Sequence, residues 1–241
     1  MVIRQKLHNF LNLFGYDIHK VSTISNAKVR KEPFTDMQAY VKSKKPVVLD
    51  VGANEGQTVN YFKQYLPDSI IHSFEPSPTT YQSLVENTSK YSDVTTWNNG
   101  VGSVRAILPF KENVNSDMSS FKDPSELCWG TVEKVTNVNV ITLDDFAQEH
   151  EIKYIDVLKS DTQGYEYEVF KGSERLMKEG RIGLIYFEYI FSDMYKNIAP
   201  FHDTFKYLTE NNFVPVSFYN QNYQRGLLSW ADVLFVKKNQ T

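Results

Sequence analysis

Apolar residues first recur at Ile3, Leu7, Phe10, Leu11 and Phe14, with Arg4, Lys6 and His8 between them. That spacing lays one apolar stripe along a helix over residues 1–14, which Gly15 stops. The stripe suits packing on the rest of the chain, on a second copy in a homodimer, or on a membrane surface as a peripheral contact. Packing on protein is the expectation, because such stripes usually serve as core faces. A polar connector over residues 16–45 follows, with a helix over 35–42 that Thr35 or Asp36 caps and Pro46 follows.

The texture then changes. Residues 47–51 form a short unbroken apolar run, as a strand covered on both faces requires. A turn over 52–56 leads to a helix over 57–65, a strand over 69–74, a helix over 78–87 and a strand over 94–97. From 104 to 140, short alternating segments rich in Ser, Asn and Asp read as an inserted hairpin or flap. Alternation resumes with a helix over 143–150, a strand over 155–159, a helix over 165–171 running on towards Met177, and a strand over 182–188. After a helix over 201–210, strands over 213–219 and 232–237 are joined by a segment too short for a crossover helix, so they pair antiparallel. The order predicts an α/β fold: five parallel strands, then a hairpin that adds one reversed strand. The expected division is a helical lead-in over 1–45 and one domain over 46–241 that carries the flap.

Composition narrows the partners. The 241 residues are 41% hydrophobic and 23% charged, an ordinary globular balance, and the net charge of −3 gives no basic field for nucleic acid. Cys128 is the one cysteine, which excludes an intramolecular disulfide and any multi-cysteine zinc site. No run approaches the roughly 18 apolar residues of a membrane span, and the N-terminus lacks the form of a signal peptide. A cytoplasmic location is the expectation.

Two motifs carry chemistry. In Val47-Val48-Leu49-Asp50-Val51-Gly52-Ala53-Asn54-Glu55-Gly56 a buried strand enters a turn with two glycines, and a helix follows at once. Glycines permit the sharp turn and a close ligand, and the helix start offers free N–H groups. The spacing is G-x-x-x-G rather than the G-x-G-x-x-G of a dinucleotide turn, which argues against a nicotinamide oxidoreductase. The acid Asp50 at the strand end suits a ligand with an ammonium and a sulfonium, so S-adenosylmethionine fits the turn of Gly52, Ala53, Asn54 and Gly56. Nineteen residues after Gly56, the strand Ile70-Ile71-His72-Ser73-Phe74 ends on Glu75-Pro76. A carboxylate there accepts bonds from the two ribose hydroxyls of an adenosine cofactor.

At this point the chain resembles a known family. Asp50-Val51-Gly52-Ala53-Asn54-Glu55-Gly56, Phe74-Glu75-Pro76-Ser77-Pro78, Thr142-Leu143-Asp144-Asp145 and Leu158-Lys159-Ser160-Asp161-Thr162-Gln163-Gly164-Tyr165-Glu166 are similar, in order and spacing, to the signature blocks of FkbM-type methyltransferases. The resemblance runs from about Pro46 to Lys237. It implies a Rossmann-like methyltransferase fold: a mostly parallel seven-stranded sheet, an antiparallel C-terminal hairpin and helices on both faces. It also implies an S-adenosylmethionine-dependent O-methyltransferase acting on a hydroxyl of a sugar, polyketide or similar natural product. Leu13-Phe14-Gly15-Tyr16-Asp17-Ile18 loosely resembles leaders on members associated with glycan assembly. The chain departs from the family in having Asp161-Thr162-Gln163-Gly164 where Asp-Val-Glu-Gly is usual, so Gln163 cannot take a proton. Asn98-Asn99-Gly100-Val101-Gly102-Ser103 also departs, and by analogy lies near the adenine, with Asn98 as a contact.

Transfer to a hydroxyl needs in-line placement and a base. Asp161 ends the fourth strand and Glu188 the fifth, so strands about 4.8 Å apart bring the two carboxylates together. One would accept the proton and the other orient the acceptor, with Asp161 also able to brace the glycine turn or bind the cofactor's ammonium. A shared Mg²⁺ is the alternative reading of the pair, but a metal is not the favoured expectation. Ser119, Ser120 and Trp129 in the flap are the candidates to cover the acceptor. His72, His150 and His202 read as core, helix-end and surface residues. Two other functions compete with this one. A cofactor-binding but inactive module of a glycan-assembly complex would accommodate Gln163. A nucleic-acid methyltransferase lacks both a basic stripe and an Asn/Asp-Pro-Pro-Tyr block here.

Overall fold

The computed structural model describes residues 32–238; the expected helix over 1–14 lies outside them. The first helix, α1 (Pro33–Tyr40), starts earlier than the sequence pattern suggests. Glu32, rather than Thr35 or Asp36, caps it by accepting from Phe34 N and Thr35 N, and Pro33 fills a first-turn position that needs no N–H donor. Asp36 is fully buried instead and accepts from Tyr219 Oη at 2.8 Å.

A seven-stranded sheet forms the centre. Its strands are β1 (Val47–Val51), β2 (Ile70–Phe74), β3 (Val94–Trp97), β7 (Ile155–Ser160), β8 (Ile182–Ile190), β9 (Phe213–Gln224) and β10 (Leu227–Lys237), in the order β3-β2-β1-β7-β8-β10-β9. The first five run parallel, and β10 is antiparallel to both neighbours. The order reverses between β1 and β7, so the carboxyl ends of these two strands flank the crevice where open α/β sheets bind ligands.

Successive residues of the central strands enter opposite cores, as a period of two requires. Leu49, Leu158 and Ile185 pack with Phe146, Val169, Phe170 and Leu208 of α4 (Leu143–Glu149), α5 (Glu166–Lys171) and α7 (Phe201–Glu210). Val48, Val157 and Leu184 pack with Phe34 and Met37 of α1 and with Val59 and Phe62 of α2 (Gln57–Tyr65). Helix α3 (Pro78–Thr88) starts behind Ser77, whose side chain accepts from Thr80 N.

The expected flap over 104–140 is a hairpin of β5 (Ala106–Asn113) and β6 (Val132–Ile141), the second strand running one residue further, with the short β4 (Gly100–Val101) parallel to β6 on its free edge. The helix expected to run on to Met177 breaks into α5 and α6 (Glu174–Lys178). At the break, a Cβ on Gly172 would stand 2.0 Å from the carbonyl oxygen of Gly102, so this crossing requires a glycine. The C-terminal hairpin is longer than the apolar pattern shows, because its polar outer part (Asn220, Gln221, Asn222, Gln224) disguises the strand. Arg225 and Gly226, at φ 50° and 78°, form the two-residue turn that matches strand twist. Among the described residues no helix is long and apolar enough to cross a membrane.

Candidate active site

The glycine turn after β1 is built by main-chain contacts. Gly52 N and Ala53 N both donate to Phe74 O at 3.0 Å, and Asp161 N donates to Val51 O at 3.0 Å, which ties the ends of β1, β2 and β7 together. Gly52 has φ 72°, and a Cβ there would lie 1.8 Å from the carbonyl oxygen of Asp161. Gly56 answers a different need: its Cβ would meet Thr88 and Leu84 of α3 at 2.9 and 3.2 Å.

Beyond this turn lies a cavity of about 380 Å³, within the ~300–1,000 Å³ range usual for small-molecule sites. Gly52, Asn54, Glu75, Pro76 and Asp161 line it, as do Glu188, Ser119 and Trp129. Several expected contacts sit behind the wall. Asp50 is fully buried and pairs with Lys159 Nζ at 3.0 Å, while Ala53 and Gly56 support the turn. Asn98 spends its amide on Glu75 O and Pro76 O at 2.8 and 3.1 Å, and it is Asn99 that reaches the cavity. Ser120 is 1% exposed and donates to Gln163 O at 2.7 Å, so it pins the hairpin region to the loop after β7 rather than facing the cavity. His202 stands exposed, away from the cavity.

Glu75 is held at both oxygens. Asn54 N donates to Oε2 at 3.0 Å and Ser77 N to Oε1 at 2.9 Å. Burial pushes its carboxyl up to about 7 despite those bonds. Ser77 Oγ also donates to Glu112 of β5 at 2.6 Å, which links this loop to the hairpin.

Lys159 supports the site from behind the cavity wall, and no motif singled it out. Its signal was there: a lysine inside the apolar run of β7, in register with Asp50 of β1. Burial lowers the proton affinity of its ammonium, but Asp50 and Asp161 outweigh that and the net shift is upward. Lys159 Nζ donates to Gly52 O at 2.7 Å, so it fixes the turn as well as neutralising Asp50.

At the acceptor side, Gln163 stands between the two expected carboxylates. Its Nε2 donates to Asp161 Oδ1 at 3.0 Å and to Glu188 Oε2 at 2.9 Å. Burial, then the neighbouring Asp161, Asp232 and Glu166, hold the Glu188 carboxyl well above the usual carboxylate range. Glu166 itself braces the loop, accepting from Thr162 N and Oγ1 at 2.8 and 2.9 Å. Phe121, Met118, Met194 and Trp230 supply apolar wall that no sequence motif marked. Among the described residues no three His, Cys, Asp or Glu side chains converge as a metal site.

The residues present fit an adenosine cofactor. Glu75 lines the cavity at the end of β2 with acceptor capacity left on each oxygen, and Asn54 beside it leaves Oδ1 without a hydrogen-bond partner. If ribose hydroxyls donate to the ionised Glu75, S-adenosylmethionine affinity is expected to rise with pH through about 7 and then level off. By the same linkage, the ligand-free protein loses stability as pH rises from 4.5 to about 7, because folding favours the protonated acid. Glu75→Gln should remove the pH dependence and weaken binding by about 10–100-fold, since one amide N–H then opposes a main-chain N–H. Calorimetry between pH 5.5 and 8.5 checks this; equal pH profiles for both proteins would refute it.

A parallel sheet reversing at β1/β7, a glycine turn and an acid after β2 define the class of Rossmann-like methyltransferases. A family profile described as "Methyltransferase FkbM domain" matches residues 50–215, and the chain belongs to that family. It is 25% identical over 205 residues to the 2-O-methyltransferase NoeI of Sinorhizobium fredii (strain NBRC 101917 / NGR234), covering 80% of this chain and 81% of that one. It is 28% identical over 185 residues to the methyltransferase sdnD of Sordaria araneosa, covering 64% and 71%. The crystal structure of methyltransferase FkbM from Methylobacillus flagellatus KT shares the fold, with a TM-score of 0.53 and 14% identity over 80% of this chain. This chain spans 44% of that protein. The protein is thus an S-adenosylmethionine-dependent methyltransferase.

Proposed function

We propose that the enzyme methylates a hydroxyl group of a sugar or similar natural product. The observation that carries this is the pair Asp161 and Glu188, joined through Gln163 on the wall of the cavity that Glu75 enters from the cofactor side. A weakly acidic hydroxyl needs a proton acceptor as it attacks, and a pair of carboxylates supplies one acceptor and one orienting group. The 2-O-directed activity in the name of the Sinorhizobium relative supports the same reading.

When bound, S-adenosylmethionine supplies a methyl group on a good leaving group. Glu75 and the Gly52–Asn54 turn would hold its adenosine and methionine parts. Glu188 takes the hydroxyl proton, its raised proton affinity making it the better acceptor, and Asp161 orients the acceptor. Ser119 and the half-exposed Trp129 close the acceptor side, limiting water at the reacting atoms.

The test uses S-adenosylmethionine labelled with ¹³C in the methyl group and a panel of monosaccharides, glycosides and hydroxylated natural products. The expected product carries an O-methyl carbon by NMR. Label appearing on nitrogen or carbon would overturn the O-directed reading. Tight cofactor binding with no transfer to any acceptor would favour a binding module instead.

A further inference from the structure

We propose that Gln163 is a positioning residue for methyl transfer. Its single amide holds Asp161 and Glu188 so that one oxygen of each is left for the acceptor hydroxyl. The inference rests on the reading of that pair given above.

The amide's orientation is fixed by its surroundings. Nε2 donates to Asp161 Oδ1 and Glu188 Oε2, at 3.0 and 2.9 Å, and carboxylates can only accept when ionised. At its other end Oε1 accepts from Tyr195 Oη at 3.2 Å, and that hydroxyl also lies 2.9 Å from Met118 O. Turning the amide over would aim its oxygen at two carboxylates and leave no donor between them, so the two acids fix its orientation; the Tyr195 hydroxyl, which can accept as well as donate, tolerates either end. The main chain is held as well: Gln163 O accepts from Ser120, and Gln163 at φ 54° precedes Gly164 at φ 90°, where a Cβ would strike Ile198 at 2.9 Å. Among the described residues, Asp161 Oδ2 and Glu188 Oε1 make no hydrogen bond to protein, and both side chains line the cavity.

Charge explains why an amide suits this position. Glu188 faces Asp161 from the β7 loop, its cross-strand partner Asp232 from β10, and Glu166 from α5. Asp232 is bonded by Tyr186 Oη and Asn220 Nδ2, each at 2.6 Å, and Lys159 is committed to Asp50 and Gly52. A carboxylate at 163 would add another like charge among these acids. The glutamine instead gives two donors and no charge, so it favours the ionised form of both carboxylates.

The test is a ¹³C-detected pH titration of the Glu188 carboxyl in ligand-free protein, run for the native chain, Gln163→Leu and Gln163→Asn. Leucine removes both donors, and asparagine is one methylene too short to span the pair. Each variant is expected to raise the Glu188 titration by about one unit or more, a tenfold change in proton affinity. S-adenosylmethionine affinity should stay within about threefold while kcat falls at least tenfold. A Glu188 titration unchanged in both variants would overturn the clamp. A shifted titration with unchanged methylation would show that the clamp exists but does not serve the reaction, which overturns the positioning role. Glu188→Gln separates that result from failure of the base assignment itself.

Discussion

Glu188→Gln is expected to lower kcat by roughly 10²–10⁴-fold at saturating acceptor, the span that a positioned general base contributes. The substitution keeps size and polarity, and Gln163 Nε2 still finds an acceptor in the new side-chain oxygen, so the fold should persist. What disappears is the ability to take a proton. Because burial and three neighbouring acids hold Glu188 above the usual range, the native enzyme needs a correspondingly high pH to ionise it. Native activity should therefore rise with pH through that raised value, and the variant should lose this limb of the profile. Asp161→Asn is expected to act mainly on acceptor KM, since in the proposed mechanism Asp161 orients rather than accepts. Steady-state methyl transfer across pH 5.5–9 reads all three proteins. If Asp161→Asn collapses kcat and Glu188→Gln does not, the two roles exchange; if neither changes it, the pair is not the base.

Gly52→Ala should be the most destabilising single substitution at the site. Two costs combine there. An alanine at φ 72° carries the left-handed penalty of about 1–2 kcal/mol. Its Cβ would also stand 1.8 Å from the Asp161 carbonyl oxygen, which must move away at about 1–3 kcal/mol more. The total of roughly 2–5 kcal/mol is a large part of the ~5–15 kcal/mol that stabilises a typical protein. At about 2–4 °C per kcal/mol, Tm should fall by about 4–20 °C. Gly226→Ala is the control: φ is 78° but nothing lies within 4 Å of its Cβ, so only the conformational cost applies. Equal losses in the two variants would show that the close approach of β1 and β7 is not what requires glycine at 52. In Gly52→Ala cofactor binding should also weaken, because the displaced Asp161 segment forms part of the cavity wall.

The pair Asp161 and Glu188 was legible in advance because strand ends in a parallel sheet are a local property. Once β7 and β8 are read as neighbours, the residue just past β7 must meet the one alongside it: Ser160 pairs with Phe187, which sets Asp161 beside Glu188, two residues before β8 ends at Ile190. The same holds for Glu75 beyond β2. Asp50 was harder to place. An acid at the end of β1 looks like a ligand group when the strand is read alone, and only the register Asp50↔Lys159 shows that its charge is matched inside the protein. Ser120 is a similar case, since nothing in its own segment reveals that it faces the Gln163 carbonyl 43 positions away.

By itself the sequence determined the class of fold, the run of parallel strands closed by an antiparallel hairpin, the glycine turn and the acid that follows β2. These rest on short-range causes: the period of apolar residues, the backbone freedom of glycine and the polarity of strand ends. Tertiary structure alone decided which side chains reach the cavity and which stand behind it. It also decided that Asn99 rather than Asn98 lines the cavity, that Gln163 bridges two carboxylates, and that the C-terminal hairpin extends past its apolar core. Those outcomes depend on register and burial between segments far apart in the chain, where each polar group takes the partner that packing brings to it.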